Sequence, residues 1–189
     1  MKKRLFILVE GEDDVRFFGR IIKPLFVHRY DSVEILPYAS IKRGKVNNFL
    51  KSMAQMHNDY IFVADIDMER SVRDKKQLLS TWYSSISGNN IVIVIMEIES
   101  WYYAGLPDET LQRFGLPSLS STDELTKEDF NTLIPQSFDS RIDFMFEILK
   151  SFSPTTAARR NRSFKFFFDR YRLEDPAALL SSPLFPESR

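Results

Sequence analysis

The chain has 189 residues, with 26 basic and 26 acidic side chains, 43% hydrophobic residues and no cysteine. This length suits one domain with an appendage, and the lack of cysteine excludes disulfides, thiolate metal sites and cysteine nucleophiles. The apolar runs are far shorter than the ~20 residues of a membrane span, and the basic amino terminus is not followed by a signal-peptide cleavage site. We therefore expect a cytoplasmic protein without a membrane partner.

The first half of the chain alternates short apolar runs with amphipathic stretches of helical spacing. Strands that alternate with helices indicate an α/β fold with a mainly parallel sheet. The pattern predicts strands over 5–9, 32–36, 60–64 and 91–96, and helices over 13–25, 44–57 and 71–84.

The second half has a different texture. Residues 97–149 hold three basic and eleven acidic side chains, so the neutral total hides an acidic centre between more basic flanks. A loop-rich connection with two prolines and a glycine leads into helices predicted to begin at 126 and to cover 138–152 and 155–173. We interpret 1–105 as an α/β core and 106–189 as a helical extension packed on it, with an irregular tail from Pro176.

Acidic residues end three of the four predicted strands. Because the carboxyl ends of parallel strands share one edge of a sheet, these side chains are expected to meet there. A spacing of two would place both acids of a pair on one side if the extended conformation continued. Each pair alone is more typical of helix capping than of a metal site, but three at one edge favour a site, and clustered carboxylates suit Mg²⁺ or Mn²⁺. The candidate ligands are Glu10, Asp14, Asp65, Asp67, Glu97 and Glu99.

Two basic segments are candidates for contact with phosphate. Lys42, Arg43 and Lys45 precede a predicted helix at the same sheet edge, where a phosphate could be held, or where the residues form an ordinary polar loop. Arg162 and Lys165 lie in a segment that mixes cations with aromatic rings. Helical spacing places the rings of that segment on one stripe, which favours core packing and leaves the cations free for nucleic acid. These rings are Phe164, Phe167, Phe168 and Tyr171.

The segments Glu10-Gly11-x-x-Asp14 and Asp65-x-Asp67, each after an apolar strand, resemble the motifs of Toprim domains. The segments 95–101 and 161–167 are similar to a group of bacterial Toprim-like proteins related to the overcoming-lysogenization-defect (OLD) type nucleases. The resemblance implies a Rossmann-like four-stranded sheet with helices on its faces. It also implies Glu10 as a catalytic acid or base or a metal ligand, Asp65 and Asp67 as magnesium ligands, and Asp14 as the second acid of the first motif. Glu97 and Glu99 could then supply a second metal site.

The expected function is Mg²⁺- or Mn²⁺-dependent phosphodiester hydrolysis by a nuclease of a bacterial or phage-related defence or repair system, with Glu10 and Asp65 as catalytic residues. The alternative is a non-catalytic Toprim-like module that binds nucleic acid or a separate ATPase. Residues 61–69 also resemble the first motif of haloacid-dehalogenase phosphatases. Glu69 and the position of this strand as the third one disfavour that class.

Overall fold

A computed structural model describes residues 3–174, which contain a four-stranded sheet with all strands parallel. The strand order is β2-β1-β3-β4. The first strand therefore lies inside the sheet, and the chain crosses over it on the way from β2 to β3. This confirms the predicted α/β fold. The strands are β1 (Arg4–Val9), β2 (Ser32–Pro37), β3 (Asp59–Asp65) and β4 (Ile91–Val94).

Ten α-helices are present in the described part of the chain, and the three predicted crossover helices are among them. The first of these contains a π-helical segment, Phe18–Ile22, between α1 and α2. In residues 3–174 no helix has the length and apolar character to cross a membrane. The helices are α1 (Glu12–Phe17), α2 (Lys23–Phe26), α3 (Arg43–Gln55), α4 (Val72–Trp82), α5 (Ile98–Ala104), α6 (Asp108–Phe114), α7 (Lys127–Thr132), α8 (Arg141–Ser151), α9 (Pro154–Arg160) and α10 (Arg162–Arg170).

Helices cover both faces of the sheet, and the side chains of each strand alternate between the two faces. Ile7 of β1 packs into a cluster with residues of α1, α5, α8 and α10, whereas Leu8 packs into a second cluster with α3 and α4. The helical second half therefore shares the larger of these two clusters with the sheet. Trp101 and Phe164 lie edge to face at its centre, with ring centroids 5.1 Å apart.

Three predicted elements differ from the structure. β4 ends at Val94 rather than at residue 96, because Met96 adopts a left-handed backbone with φ of 61°. The connection after Pro107 contains the short helix α6, which the proline and glycine content concealed.

The helix predicted over 155–173 is broken into α9 and α10 at Asn161, whose extended backbone separates them and whose side chain accepts from the amide of Phe164. The predicted irregular tail from Pro176 lies outside the described residues.

Candidate metal centre

The strand order places the three acid-bearing strand ends side by side, since β1, β3 and β4 are consecutive neighbours. They border a cavity of about 400 Å³ at the carboxyl edge of the sheet. All six predicted acidic ligands line this cavity. Its lining comprises Glu10, Gly11, Glu12, Asp13, Asp14, Ala39, Asp65, Asp67, Glu97, Ile98, Glu99 and Lys127.

Glu10 follows the last residue of β1 and is fixed through one of its two carboxylate oxygens. Its Oε1 accepts a hydrogen bond from the backbone amide of Asp65 at 3.1 Å and lies 3.2 Å from the hydroxyl of Tyr38. Burial raises the pKa of Glu10, and repulsion from Asp67 adds to that effect. Glu10 therefore binds a proton more readily than an exposed glutamate does.

Asp14 lies in the first turn of α1 and leans back over the end of β1. Its Oδ2 accepts from the backbone amide of Gly11 at 3.2 Å, which caps the helix, while its Oδ1 is buried and has no hydrogen-bond partner. The residue is 5% exposed. Burial raises the pKa of Asp14 to about 7, with the hydrogen bond from Gly11 opposing this shift and repulsion from Glu10 adding to it.

Asp65 is the last residue of β3, and its Oδ1 is also buried without a hydrogen-bond partner. Burial raises its pKa to about 9, and the negative charges of Glu10 and Asp14 raise it further in the same direction. A buried carboxylate without a partner is costly, because neither water nor a cation compensates its charge. Glu10, Asp14 and Asp65 thus form a group of mutually repelling acids, which we call the central triad.

Asp67 lies beside the central triad but is compensated by the protein itself. Its backbone is left-handed, with φ of 50°, so the extended conformation does not continue from Asp65. Its carboxylate is paired with the ammonium of Lys75, whose side chain is 3% exposed. Both aspartates line the cavity, but not through the alternation of an extended strand.

The two glutamates after β4 have partners within the protein as well, and the extended backbone of Glu97 does not continue to Glu99 because α5 begins at Ile98. Glu97 precedes the first residue of α5 and accepts from the backbone amide of Lys127 at 2.7 Å. Glu99 lies in the first turn of α5 and is paired with the guanidinium of Arg141, while the ammonium of Lys127 is 4.0 Å away. Burial raises the pKa of Glu99, although Arg141 opposes that shift.

The donor set of the central triad fits a hard divalent cation. In residues 3–174, no three histidine or acidic side chains stand in a coordinating arrangement as the side chains lie. Asp67 and Glu99 are engaged in ion pairs with Lys75 and Arg141. Asp14 and Asp65, however, each retain a buried oxygen without a hydrogen-bond partner, and oxygen ligands of this kind suit Mg²⁺ or Mn²⁺.

The predicted basic residues lie outside this cavity. Lys42, Arg43 and Lys45 are exposed around the start of α3, and the guanidinium of Arg43 lies 4.0 Å from the ring centroid of Trp82. In the loop that precedes them, Ala39 lines the acidic cavity.

On α10, the two predicted cations are both engaged by carboxylates. Arg162 pairs with Asp123 at 2.7 Å, and Lys165 pairs with Asp169 on its own helix at 2.5 Å. The interpretation that the cations of this segment are free is wrong for these two residues. The core packing predicted for the rings is confirmed for Phe164 and Phe167, which are fully buried.

Lys75 and Arg141 were not identified from the sequence as residues of the site. Each is nevertheless an unusual residue for its position in a helix. Lys75 occupies the buried face of α4 four residues before Leu79, where an apolar residue is typical. Arg141 is the first residue of α8, and a cation is unfavourable at the positive end of the helix dipole.

The chain matches no family model, no curated protein and no solved structure. Its function is therefore inferred from the geometry of the site.

Proposed function

We propose that the protein is a Toprim-like, metal-dependent phosphodiesterase that cleaves nucleic acid and uses Mg²⁺ or Mn²⁺ held by Glu10, Asp14 and Asp65. The observation that carries this proposal is the pair of buried oxygens without partners on Asp14 and Asp65, in a cavity that also contains Glu10. The resemblance of the two acidic segments to Toprim motifs supports the same assignment.

When bound, a divalent cation supplies an acidified water as nucleophile and neutralises charge on the leaving oxygen. Asp14 and Asp65 would hold the cation through their buried oxygens, and the repulsion between the two carboxylates would then fall. Glu10 is positioned to move a proton. Its Oε1 is held by the amide of Asp65 and the hydroxyl of Tyr38, which leaves Oε2 for one of two roles. Oε2 would bind the cation, or it would accept the proton of the attacking water and return one to the leaving group.

The exposed cations at the start of α3 supply the contact with the phosphate backbone in this proposal. Lys42, Arg43 and Lys45 make no salt bridge within residues 3–174, and no acidic residue lies in the first turn of α3. Unpaired cations near a cluster of metal ligands suit a polyanionic substrate, because they neutralise phosphates flanking the scissile one. The resemblance to OLD-type nucleases supports a cytoplasmic role in a defence or repair system, with a separate ATPase as a candidate partner.

The test measures cleavage of supercoiled plasmid and of labelled single-stranded DNA and RNA in Mg²⁺ and in Mn²⁺. The wild-type chain is expected to cleave at least one of these substrates. Asp65→Ala combined with Asp67→Ala is expected to reduce the rate of cleavage at least 100-fold, because the variant lacks the proposed metal ligand Asp65 and the adjacent carboxylate of Asp67. EDTA is expected to abolish cleavage by the wild type.

The matched control is Asp139→Asn, which removes an exposed carboxylate far along the chain from the strand ends. It is expected to cleave at the wild-type rate. Equal cleavage by the double variant and the wild type contradicts the assignment of the site. A wild-type chain that binds Mn²⁺ and nucleic acid but cleaves none of the substrates contradicts the hydrolase and favours the non-catalytic binding module.

A further inference from the structure

Arg141 reaches the acidic cavity from α8, a helix in the second half of the chain. Its guanidinium bridges two carboxylates, with Nη1 2.5 Å from Oδ2 of Asp13 and Nη2 paired with Oε1 of Glu99. The side chain of Glu99 is 3% exposed and that of Arg141 is 25% exposed. A planar guanidinium that spans two carboxylates stands where a bridging cation could otherwise lie.

Six of the eight acids that line the cavity, all except Glu12 and Glu97, fall into two groups by their partners. Asp13, Asp67 and Glu99 each have a lysine or arginine nitrogen within 4.0 Å. In the described chain, no member of the central triad has such a neighbour. One divalent cation leaves three carboxylates with a charge of −1, and two leave +1, so the net charge does not set the number of cations. The ion pairs do, because Asp13 and Glu99 are bound to Arg141 and a second cation would need their oxygens.

We propose that Arg141 takes the place of a second divalent cation, so that each chain binds one Mg²⁺ or Mn²⁺ at the central triad. This inference rests on the proposed metal site and specifies its stoichiometry. Arg141 is a positioning residue in this scheme, because it holds Asp13 and Glu99 to itself and keeps them from a metal ion. Without it, Asp13 and Glu99, with Glu97 on the same cavity wall, have the oxygen donors for a second cation.

The experiment counts bound Mn²⁺ per chain by titration at pH 8, with the electron paramagnetic resonance signal of free Mn²⁺ as the readout. The wild type is expected to bind one Mn²⁺. Arg141→Gln removes the guanidinium charge and is expected to bind two. The control is Lys150→Gln on the same helix, which breaks only an exposed pair with Glu147 and is expected to bind one.

A second variant keeps the inference testable if Arg141→Gln does not fold. Arg141→Lys retains a charge but cannot bridge two carboxylates with a planar fork, so a second Mn²⁺ is expected at an affinity at least 10-fold weaker than the first. A single Mn²⁺ in both Arg141 variants overturns the inference. Two Mn²⁺ in the wild type also overturn it while leaving the proposed function intact, whereas no Mn²⁺ in the wild type overturns both.

Discussion

Two sides of the same cavity hold their carboxylates in opposite electrostatic states. On the β1–β3 side, Asp14 and Asp65 each have a buried oxygen with no hydrogen-bond partner, and both pKa values are raised, to about 7 and about 9. On the β4 side, Glu99 is also buried but is paired with Arg141. The difference shows that proximity alone does not distinguish these acids from one another, whereas their partners within the protein do. Our proposal assigns the metal to the acids that lack such a partner.

The largest effect on stability is expected from Glu99→Gln, because it breaks the buried pair on the compensated side. Arg141 keeps Asp13 as a partner, so we expect a loss of about 2 kcal/mol rather than the full cost of a buried charge without a partner. Urea unfolding without metal measures it. Glu147→Gln, which breaks an exposed pair on α8, is the control and is expected to cost less than about 0.5 kcal/mol. Equal losses in the two variants would show that Glu99 is not held by a buried pair.

The uncompensated side is expected to make the metal-free protein less stable as pH rises. Asp65 has a folded pKa of about 9, far above that of an aspartate in the unfolded chain, so the folded state binds more protons between about pH 4 and pH 9. The stabilisation from that bound proton is complete below pH 4 and is lost as pH rises through the folded pKa.

We therefore expect the free energy of unfolding without metal to fall by on the order of 2 kcal/mol from pH 6 to pH 8. Urea titrations in EDTA at several pH values measure this slope. Asp65→Asn has no carboxyl group at that position, and its slope is expected to be flatter. A wild-type stability that rises with pH over this range would contradict the raised pKa.

The smallest effect is expected from Lys127→Gln. Its ammonium is 46% exposed and 4.0 Å from Glu99, a separation at which a surface pair contributes little. The hydrogen bond from its backbone amide to Glu97 survives the substitution. We expect a change below about 0.5 kcal/mol in the same urea assay, and a loss above about 1 kcal/mol would place Lys127 among the residues that compensate the β4 side.

The sheet and the meeting of acids at its edge could be predicted, because both depend on local patterns. Continuous apolar runs such as 91–96 identify buried parallel strands, and the residues that follow them must lie at one edge. The break at Asn161 could not be predicted in this way. The apolar stripe of Phe164 and Phe167 is consistent with one long helix. The break depends on the side-chain amide of Asn161, which donates hydrogen bonds to the hydroxyls of Ser100 and Thr122, far away in sequence.

The division of the acids into compensated and uncompensated groups could not be predicted for a similar reason. Glu97-x-Glu99 and Asp65-x-Asp67 have the same spacing and both follow apolar strands, yet Glu99 has a cationic partner and Asp65 has none in the described chain. The partner, Arg141, lies 42 residues from Glu99, and nothing local to either residue specifies the contact.

The central claim is that Asp65 is a ligand of a divalent cation. Thermal unfolding of Asp65→Asn with and without Mn²⁺ tests it most directly. Without metal, the variant is expected to melt about 2–4 °C above the wild type, because a repelling buried carboxyl group is gone. Saturating Mn²⁺ is expected to raise the melting temperature of the wild type by several degrees and to leave that of the variant unchanged. A variant that melts below the wild type without metal and keeps the full Mn²⁺ shift would contradict the claim.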